Sequence, residues 1–342
     1  TASLRARKLD PSRITPDWKG EVNLDAQASI RSAEGAPLSA RLEARLLDSR
    51  LRGRALSGVL DARASGSDVI IDRLFLQGKG FDLRAAGDLS RNIVADIRID
   101  DMSGLVPGAS GALRANGKIH RREGRFGGEI AGRASSLKMA GIRAGSANFK
   151  AAVSESREQA LSMSLQGRDL GYQGYSAREA GLNIKGTLSR HVISLDASSP
   201  PVSLKTILEG GYRDSGWRGM ITTFSGNDGA GPFTLERPAA LRVSGREIGV
   251  SSLALNGSGA ERLELDGKIV FKPRDIQLSA RWRRLNLARV ARFKEKGIIE
   301  GVTSGDLSVT SPPGKRVVIS GNIDLAGTAE AGQHRVEVPS AT

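Results

Sequence analysis

The sequence of 342 residues contains no cysteine, few aromatic residues and no long apolar run. Without cysteine the chain cannot form disulfides, thiolate metal sites or a thiol nucleophile. Aromatic residues make up only 4% of the chain, too few for a stacking track along a single-stranded nucleic acid. No run approaches the ~18 apolar residues of a membrane-spanning helix, and no signal peptide is recognisable. We therefore expect the chain to be an internal section of a longer protein, with any anchor or export signal outside it.

Positive charge exceeds negative charge, with 51 Lys and Arg against 37 Asp and Glu, for a net charge of +14. Such an excess favours an anionic partner, which could be nucleic acid, anionic lipid headgroups or an acidic protein. The charges are scattered rather than gathered in blocks, which argues against nucleic acid. The densest basic segment is Arg281, Arg283 and Arg284 around Trp282. We interpret it as a strand with the tryptophan inside and solvated arginines outside.

Motifs for catalysis and metal binding are missing from the sequence. His120, His191 and His334 are far apart and fit no metal-binding spacing, so we interpret them as solvated or edge histidines. No nucleophile elbow or glycine-rich phosphate loop occurs. Residues 225–229, Ser-Gly-Asn-Asp-Gly, lack the register and the glutamate of a calcium loop. The sequence predicts no enzyme, no cofactor and no metal site.

Apolar and polar residues alternate along nearly the whole chain, as expected for strands with one apolar face. Turn-forming Gly, Asn, Asp and Ser separate the alternating runs. We predict an apolar groove lined by Leu74, Leu76, Leu83, Ile97, Ile99, Leu113, Ile119, Leu182, Ile184, Leu253, Leu255, Leu263, Leu265, Ile269, Ile276, Leu278, Ile319 and Ile323.

Glycine is frequent, at 42 of 342 residues, against an average near 7%. The phrase apolar-x-apolar-x-Gly-x-apolar recurs with its glycine at Gly87, Gly117, Gly186, Gly267 and Gly321. A glycine inside a strand weakens it unless the backbone must bend or another group must approach closely. The repetition predicts strands that bend at a shared place and so form a trough.

Helix signals are confined to two segments, at 101–107 and at 287–296, where Asn286 is a plausible N-cap and Gly297 a plausible end. An alternating strand precedes each segment, and a Ser- and Gly-spaced strand follows it. We interpret this as one long unit used twice, about 180 residues apart. The predicted organisation is one continuous elongated section over 1–342, with possible sub-units 1–190 and 191–342.

Three stretches together resemble the TamB family, and the ordered succession carries the resemblance rather than any single motif. The clearest runs from Trp217 to Ile269. It contains Trp217-Arg218-Gly219, then Phe233-Thr234-Leu235 before Pro238-Ala239, then Leu263-Glu264-Leu265-Asp266-Gly267. The other two are 74–119, which contains Met102-Ser103-Gly104 and Ser110-Gly111, and 285–325. Two differences from the family pattern are Phe233 in place of Trp and no cysteine after the Pro-Ala segment.

The resemblance implies an all-β fold of the type called a β-taco: a long, open, U-shaped sheet with a hydrophobic groove and one or two short helices. It implies the periplasmic section of a protein that an N-terminal helix, absent here, anchors in the inner membrane of a two-membrane bacterium. It also implies a BamA-like outer-membrane barrel of the TamA type as partner, reached through a C-terminal region absent here. The implied role is phospholipid transport between the membranes and outer-membrane biogenesis.

Two alternatives to lipid transport stay open from the sequence. The chain could be an assembly factor for outer-membrane proteins or autotransporters, capturing their strands at an open sheet edge. It could also be a rigid β-solenoid spacer with a dry core. Exposed edge backbone would favour the assembly factor, whereas an exposed apolar trough would favour lipid.

Overall fold

The computed structural model describes residues 1–13, 15–32, 37–291, 298–314, 316–331 and 334–338. These residues are almost all in β-strands, and every strand pair with a described register is antiparallel. The prediction of an all-β fold with short helical segments is therefore confirmed. The chain divides into two compact units, residues 1–179 and 180–342. The predicted sub-units 1–190 and 191–342 stay a prediction, as does the continuous section.

The first unit is a meander in which each strand pairs with the next along the chain. Its strands are β1 (Ala2–Leu9), β2 (Gly20–Arg31), β3 (Ser39–Leu51), β4 (Arg54–Ser65), β5 (Asp68–Gly78), β6 (Phe81–Asp88), β7 (Asn92–Ile99), β8 (Ser110–Arg122), β9 (Arg125–Met139), β10 (Ile142–Val153) and β11 (Leu161–Tyr172). Strand β12 (Tyr175–Gly186) contains the point of division.

The second unit is also a meander, with one strand position filled by two short strands. Its further strands are β13 (His191–Ser199), β14 (Val202–Arg213), β15 (Gly216–Asn227), β16 (Pro232–Leu235), β17 (Ala239–Ser244), β18 (Glu247–Asn256), β19 (Arg262–Phe271), β20 (Arg274–Asn286), β21 (Ile298–Ser311), β22 (Val318–Ala331) and β23 (His334–Val338). Strands β16 and β17 both pair with β15 on one side and β18 on the other.

Tight hairpin turns explain why consecutive strands become neighbours. Four of the turns have two successive residues with positive φ of which the second is glycine, the pattern of a type I′ turn, whose twist matches that of the strands. They are Arg52–Gly53, Glu123–Gly124, Ala140–Gly141 and Gln173–Gly174. In each turn, glycine occupies the second central position and tolerates the left-handed conformation at no steric cost.

The mid-strand glycines permit close approach between strands. A Cβ atom at Gly87 would overlap the carbonyl oxygen of Asn92, and one at Gly117 would lie 2.8 Å from that of Glu129. Gly87 is opposite Ile93, and Ile93 is opposite Ile119, two residues after Gly117. The two glycines are therefore offset by two residues along the strands, and a bend at a shared place stays a prediction.

β-Bulges are a second source of curvature, since they bend a strand and increase its twist. Lys8, Ser252 and Arg284 have positive φ and lie at register shifts of β1, β18 and β20. In each case the backbone N–H of the bulged residue donates to a side chain of the next strand. The acceptors are Asn23 Oδ1 at 2.9 Å, Asp266 Oδ1 at 2.7 Å and Ser304 Oγ at 3.0 Å, respectively.

Two short helical turns occur where the sequence predicts them, and a third, a 3-10 turn at Pro11–Arg13, was not predicted. A 3-10 turn spans Met102–Gly104, and its first residue is preceded by Asp101, whose carboxylate accepts the N–H of Ser103 at 3.0 Å. Helix α1 spans Leu287–Ala291 and follows Asn286, whose side-chain oxygen accepts the N–H of Ala288 at 2.9 Å. The remainder of the second predicted helix, 292–296, and its predicted end at Gly297 lie outside the described residues. Within the described part of the chain, no helix has the length and apolarity to cross a membrane.

Candidate apolar groove

Cross-strand register brings together a continuous apolar face in the first unit, because residues directly opposite each other share a face. Three adjacent rows each take one residue from every strand from β1 to β11, and every member is apolar or glycine. The first row is Ala6, Leu24, Leu46, Gly58, Leu76, Leu83, Ile97, Ala115, Gly132, Phe149 and Leu165. The second is Leu4, Ala26, Ala44, Leu60, Leu74, Ala85, Ala95, Gly117, Ile130, Ala151 and Met163. The third is Ala2, Ala28, Leu42, Ala62, Ile71, Gly87, Ile93, Ile119, Gly128, Val153 and Leu161. We call these rows the apolar face of the first unit, and the side chains between them its polar face.

The second unit has a comparable apolar face across β18 to β22. One row is Leu255, Leu263, Trp282, Gly305 and Ile323; the next is Leu253, Leu265, Ala280, Leu307 and Gly321; a third is Val250, Gly267, Leu278, Val309 and Ile319. Trp282 lies in this face while Arg281, Arg283 and Arg284 are exposed, so the interpretation of that basic segment is confirmed.

Sixteen of the eighteen predicted groove residues fall on these two faces. In the first unit Leu74, Leu76, Leu83, Ile97 and Ile119 lie in the three rows, and Ile99 and Leu113 are opposite each other in the next row. In the second unit the rows contain Leu253, Leu255, Leu263, Leu265, Leu278, Ile319 and Ile323, while Ile269 and Ile276 are opposite each other. Leu182 and Ile184 share one face of β12 by their spacing. Contact of any of them with lipid stays a prediction.

The apolar faces remain partly open to solvent. The most buried apolar residues are mainly alanines, such as Ala85, Ala115 and Ala134, whereas the larger side chains of these faces are half-buried or exposed. Ile119 is 45% exposed and Ile319 is 67% exposed. Singly exposed apolar residues are normal on proteins, but a contiguous exposed patch indicates a binding surface.

A cleft of ≈ 540 Å³ opens on the apolar face of the first unit, at the end of β8 and the start of β9. Ile93, Ile119, Phe126, Ile130 and Val153 form its walls. Lys118 Nζ and Glu129 Oε1, which are 3.1 Å apart, supply charge at its border. A mostly apolar cleft with a few polar groups at its edge is typical of a site for a small amphipathic ligand.

A smaller cleft of ≈ 200 Å³ lies on the apolar face of the second unit, beside α1. The rings of Phe224 and Phe233, with centroids 5.5 Å apart, form part of its wall. Arg289 and Glu261 lie at its end, with side chains only 11% and 6% exposed. The cleft therefore joins an apolar wall to a charged cluster.

Arg289 and Glu261 stabilise each other's charge in this cluster. Burial favours a raised pKa for the Glu261 carboxyl, but hydrogen bonds from Arg289 and from the N–H of Asn286 outweigh it and lower the pKa below the usual value. The same bond from Arg289 to Glu261, together with Asp228, raises the pKa of the guanidinium. Because the charge of Arg289 is already matched by two carboxylates, the cluster is a structural tie rather than a free anion site.

Two histidines differ from the expectation of solvated or edge positions. His191 is only 8% exposed, and its Nε2 accepts the indole N–H of Trp217 at 2.9 Å. His120 Nε2 lies 3.0 Å from Glu155 Oε2, and its side chain is 13% exposed. The expectation was wrong for His191, because the sequence gives no sign of which aromatic ring will cover a strand-end histidine. No cluster of metal-binding side chains is found among the described residues.

The chain belongs to the TamB family. The family model described as TamB, N-terminal domain, matches residues 1–339. No curated protein and no solved structure is significantly similar to the chain. The family confirms the resemblance that the ordered motifs indicate in the sequence.

Proposed function

We propose that the apolar faces hold the acyl chains of phospholipids, in a non-enzymatic section of a periplasmic bridge that carries lipid between the inner and outer membranes. The three wholly apolar rows of the first unit are the observation that carries this proposal. Aliphatic side chains and glycine present no hydrogen-bonding groups of their own, so an acyl chain lying there loses water at no polar cost. Each buried methylene contributes ~0.8 kcal/mol.

Repetition of the rows along the sheet suits movement as well as binding. Neighbouring strands are ~4.8 Å apart, and each adds another aliphatic or glycine position to every row. A lipid tail therefore meets similar surfaces at successive strands, without a site deep enough to trap it. The headgroup stays at the wet edge, where scattered Arg and Lys match anionic phosphate.

The membership of the TamB family supports the further parts of the proposal. We place the section in the periplasm of a two-membrane bacterium, with an inner-membrane anchor and a TamA-type barrel partner outside this chain. An assembly role for outer-membrane proteins remains the second candidate.

Native mass spectrometry of the purified chain, with extraction and identification of bound lipid, tests the proposal. We expect several phospholipids per chain, and fewer after Ile119→Asp or Ile319→Asp, because each places a charge on an exposed position of the apolar face. The matched controls are Val94→Asp and Ser320→Asp, which place the same charge on the opposite face of the sheet.

A chain free of lipid after purification from a membrane-rich lysate would overturn the lipid role. Equal losses in the Ile and control variants would also count against it, because they would show an effect of charge rather than of the apolar face. Retention of an unfolded outer-membrane strand peptide by the lipid-free chain would favour the assembly role.

A further inference from the structure

Three arginines follow one another across the polar face of the first unit. In the described register, Arg98 in β7 is directly opposite Arg114 in β8, and Arg114 is directly opposite Arg133 in β9. Like charges in directly opposite positions destabilise a sheet. The row is therefore an arrangement that needs an explanation.

Elsewhere on this face, opposite charges pair across neighbouring strands. Arg73 pairs with Asp61 at 2.9 Å, and Lys118 pairs with Glu129 at 3.1 Å. The arginine row is thus an exception to the charge pattern around it.

In another arginine pair on this face, Arg41 opposite Arg63, each charge is locally neutralised. Arg41 pairs with Glu43 and Arg63 with Asp72, each at 2.9 Å. These two arginines form a natural comparison for the row, because each has its own carboxylate.

In the described part of the chain, only Arg98 of the three arginines in the row has a carboxylate beside its guanidinium group. Arg98 Nε is 3.1 Å from Asp100 Oδ1. Among the described residues, no acidic side chain lies within 4.0 Å of Arg114 or Arg133. Both guanidinium groups are exposed and have all their donors available for an anion.

A cleft of ≈ 500 Å³ lies over these residues. The side-chain amides of Asn116 and Asn148 add neutral donors to its lining, while the carboxylate of Asp96 lies at one side. Because Asp96 repels a second anionic group, the cleft suits one compact anion better than a long polyanion.

We propose that Arg114 and Arg133 form a binding site for a phosphate group on the polar face of the first unit. Two guanidinium forks can each donate bidentately to phosphate oxygens, and the bound charge removes the repulsion between them. The site is independent of the proposed function, because the sheet separates it from lipid on the apolar face. The phosphate could be a free ion or the exposed headgroup phosphate of a membrane surface.

NMR titration of the arginine Nε–Hε signals with sodium phosphate, against sodium chloride of equal ionic strength, tests this site. We expect phosphate to shift the signals of Arg114 and Arg133 and chloride to leave them nearly unchanged. The double variant Arg114→Gln/Arg133→Gln should bind phosphate at least ~10-fold more weakly, since charged hydrogen bonds are lost. The matched control is Arg41→Gln/Arg63→Gln, which removes the same charge from the same face.

Sedimentation with phosphatidylglycerol vesicles distinguishes the two sources of phosphate. Binding of phosphate without vesicle binding assigns a free phosphate, whereas vesicle binding that is lost in the Arg114/Arg133 variant assigns a headgroup. Absence of both, or equal weakening in the two double variants, overturns the proposal.

Thermal unfolding without phosphate separates loss of the site from loss of the fold. The Arg114→Gln/Arg133→Gln variant should have a Tm equal to or above that of the wild type, because it removes a like-charge contact. A markedly lower Tm would show that the arginines stabilise the sheet by themselves, which also overturns the proposal.

Discussion

Arg289 Nη2 donates to Glu261 Oε2 over 2.7 Å, and both side chains are nearly buried. Glu261 also accepts the backbone N–H of Ser258 at 2.8 Å and that of Asn286 at 2.6 Å. One carboxylate therefore ties the β18–β19 loop to the start of α1 in the second unit.

Replacement of Glu261 by Gln should destabilise the second unit. The substitution removes one of the two carboxylates that balance the buried charge of Arg289. Removal of one partner of a buried ion pair costs ~3–5 kcal/mol. We expect about 3 kcal/mol, at the low end of that range, because Arg289 keeps Asp228. Urea unfolding at pH 7 measures the change, and Glu264→Gln on the same strand, whose carboxylate is 36% exposed, is the control. Equal stability of Glu261→Gln and the wild type would show that the tie contributes nothing.

Acid should destabilise the protein through carboxyl groups whose folded pKa is lowered. The pKa of Glu261 is lowered from the usual 4.5, and hydrogen bonds from Ser103 and Arg54 lower the pKa of Asp101 from 3.8 to about 2. A lowered folded pKa gives stability that is present above the unfolded pKa and is lost as the pH falls through the folded pKa. Stability should thus fall below about pH 4.5, with a smaller fall in Glu261→Gln. An equal loss of stability between pH 7 and pH 3.5 in the wild type and in Glu261→Gln would contradict a contribution of Glu261 to the acid sensitivity.

Gly87→Ala should destabilise the first unit by at least ~1–3 kcal/mol, because the residue has φ +135° and faces a neighbouring carbonyl. The added methyl group would overlap Asn92 O, which is backbone and cannot turn away. Gly245→Ala is the control, since no atom lies within 4 Å of the place that its added methyl group would occupy. Thermal unfolding of both variants gives the comparison, and equal Tm values would remove the case for close approach at Gly87.

The hydrogen bond from Trp217 to His191 fixes the tautomer of the imidazole. Nε2 accepts from the indole, so Nδ1 carries the proton and donates to Thr187 O at 2.9 Å. His191→Leu should cost ~1–3 kcal/mol, because it leaves a partly buried indole N–H without its acceptor. A double-mutant cycle with Trp217→Phe isolates the pair. Additive losses in the cycle would mean that the two side chains contribute separately.

Alternation of apolar and polar residues was sufficient to predict the two faces of the sheets. Positions such as Leu83, Ile97 and Ile119 are i and i+2 members of simple strands, so their face follows from spacing alone. Asn286 was predictable as an N-cap because its side chain can accept a backbone N–H only two residues away. Features that depend on residues a few positions apart can therefore be predicted from the sequence.

Bulges and the charged cluster of Glu261 and Arg289 could not be predicted in this way. Lys8 and Arg284 adopt positive φ although their residue types give no turn signal, Ser252 does so within an alternating strand, and the side-chain acceptors of all three lie on the next strand. Glu261 and Arg289 are 28 residues apart and meet only because an irregular loop and a short helix converge. Such contacts depend on register, which no single strand specifies.

The rows of the first unit run across its strands, so the width of the sheet can change only in whole strands. Each row takes one residue from each strand, so inserting or deleting a whole hairpin adds or removes two positions in every row and changes the sheet width by ~9.6 Å. The alternation of the other strands is untouched by such a change, whereas one extra residue within a strand exchanges its faces unless a bulge absorbs it. The number of hairpins therefore sets the width of such a sheet, and a change in that number can fit the sheet to a fixed distance.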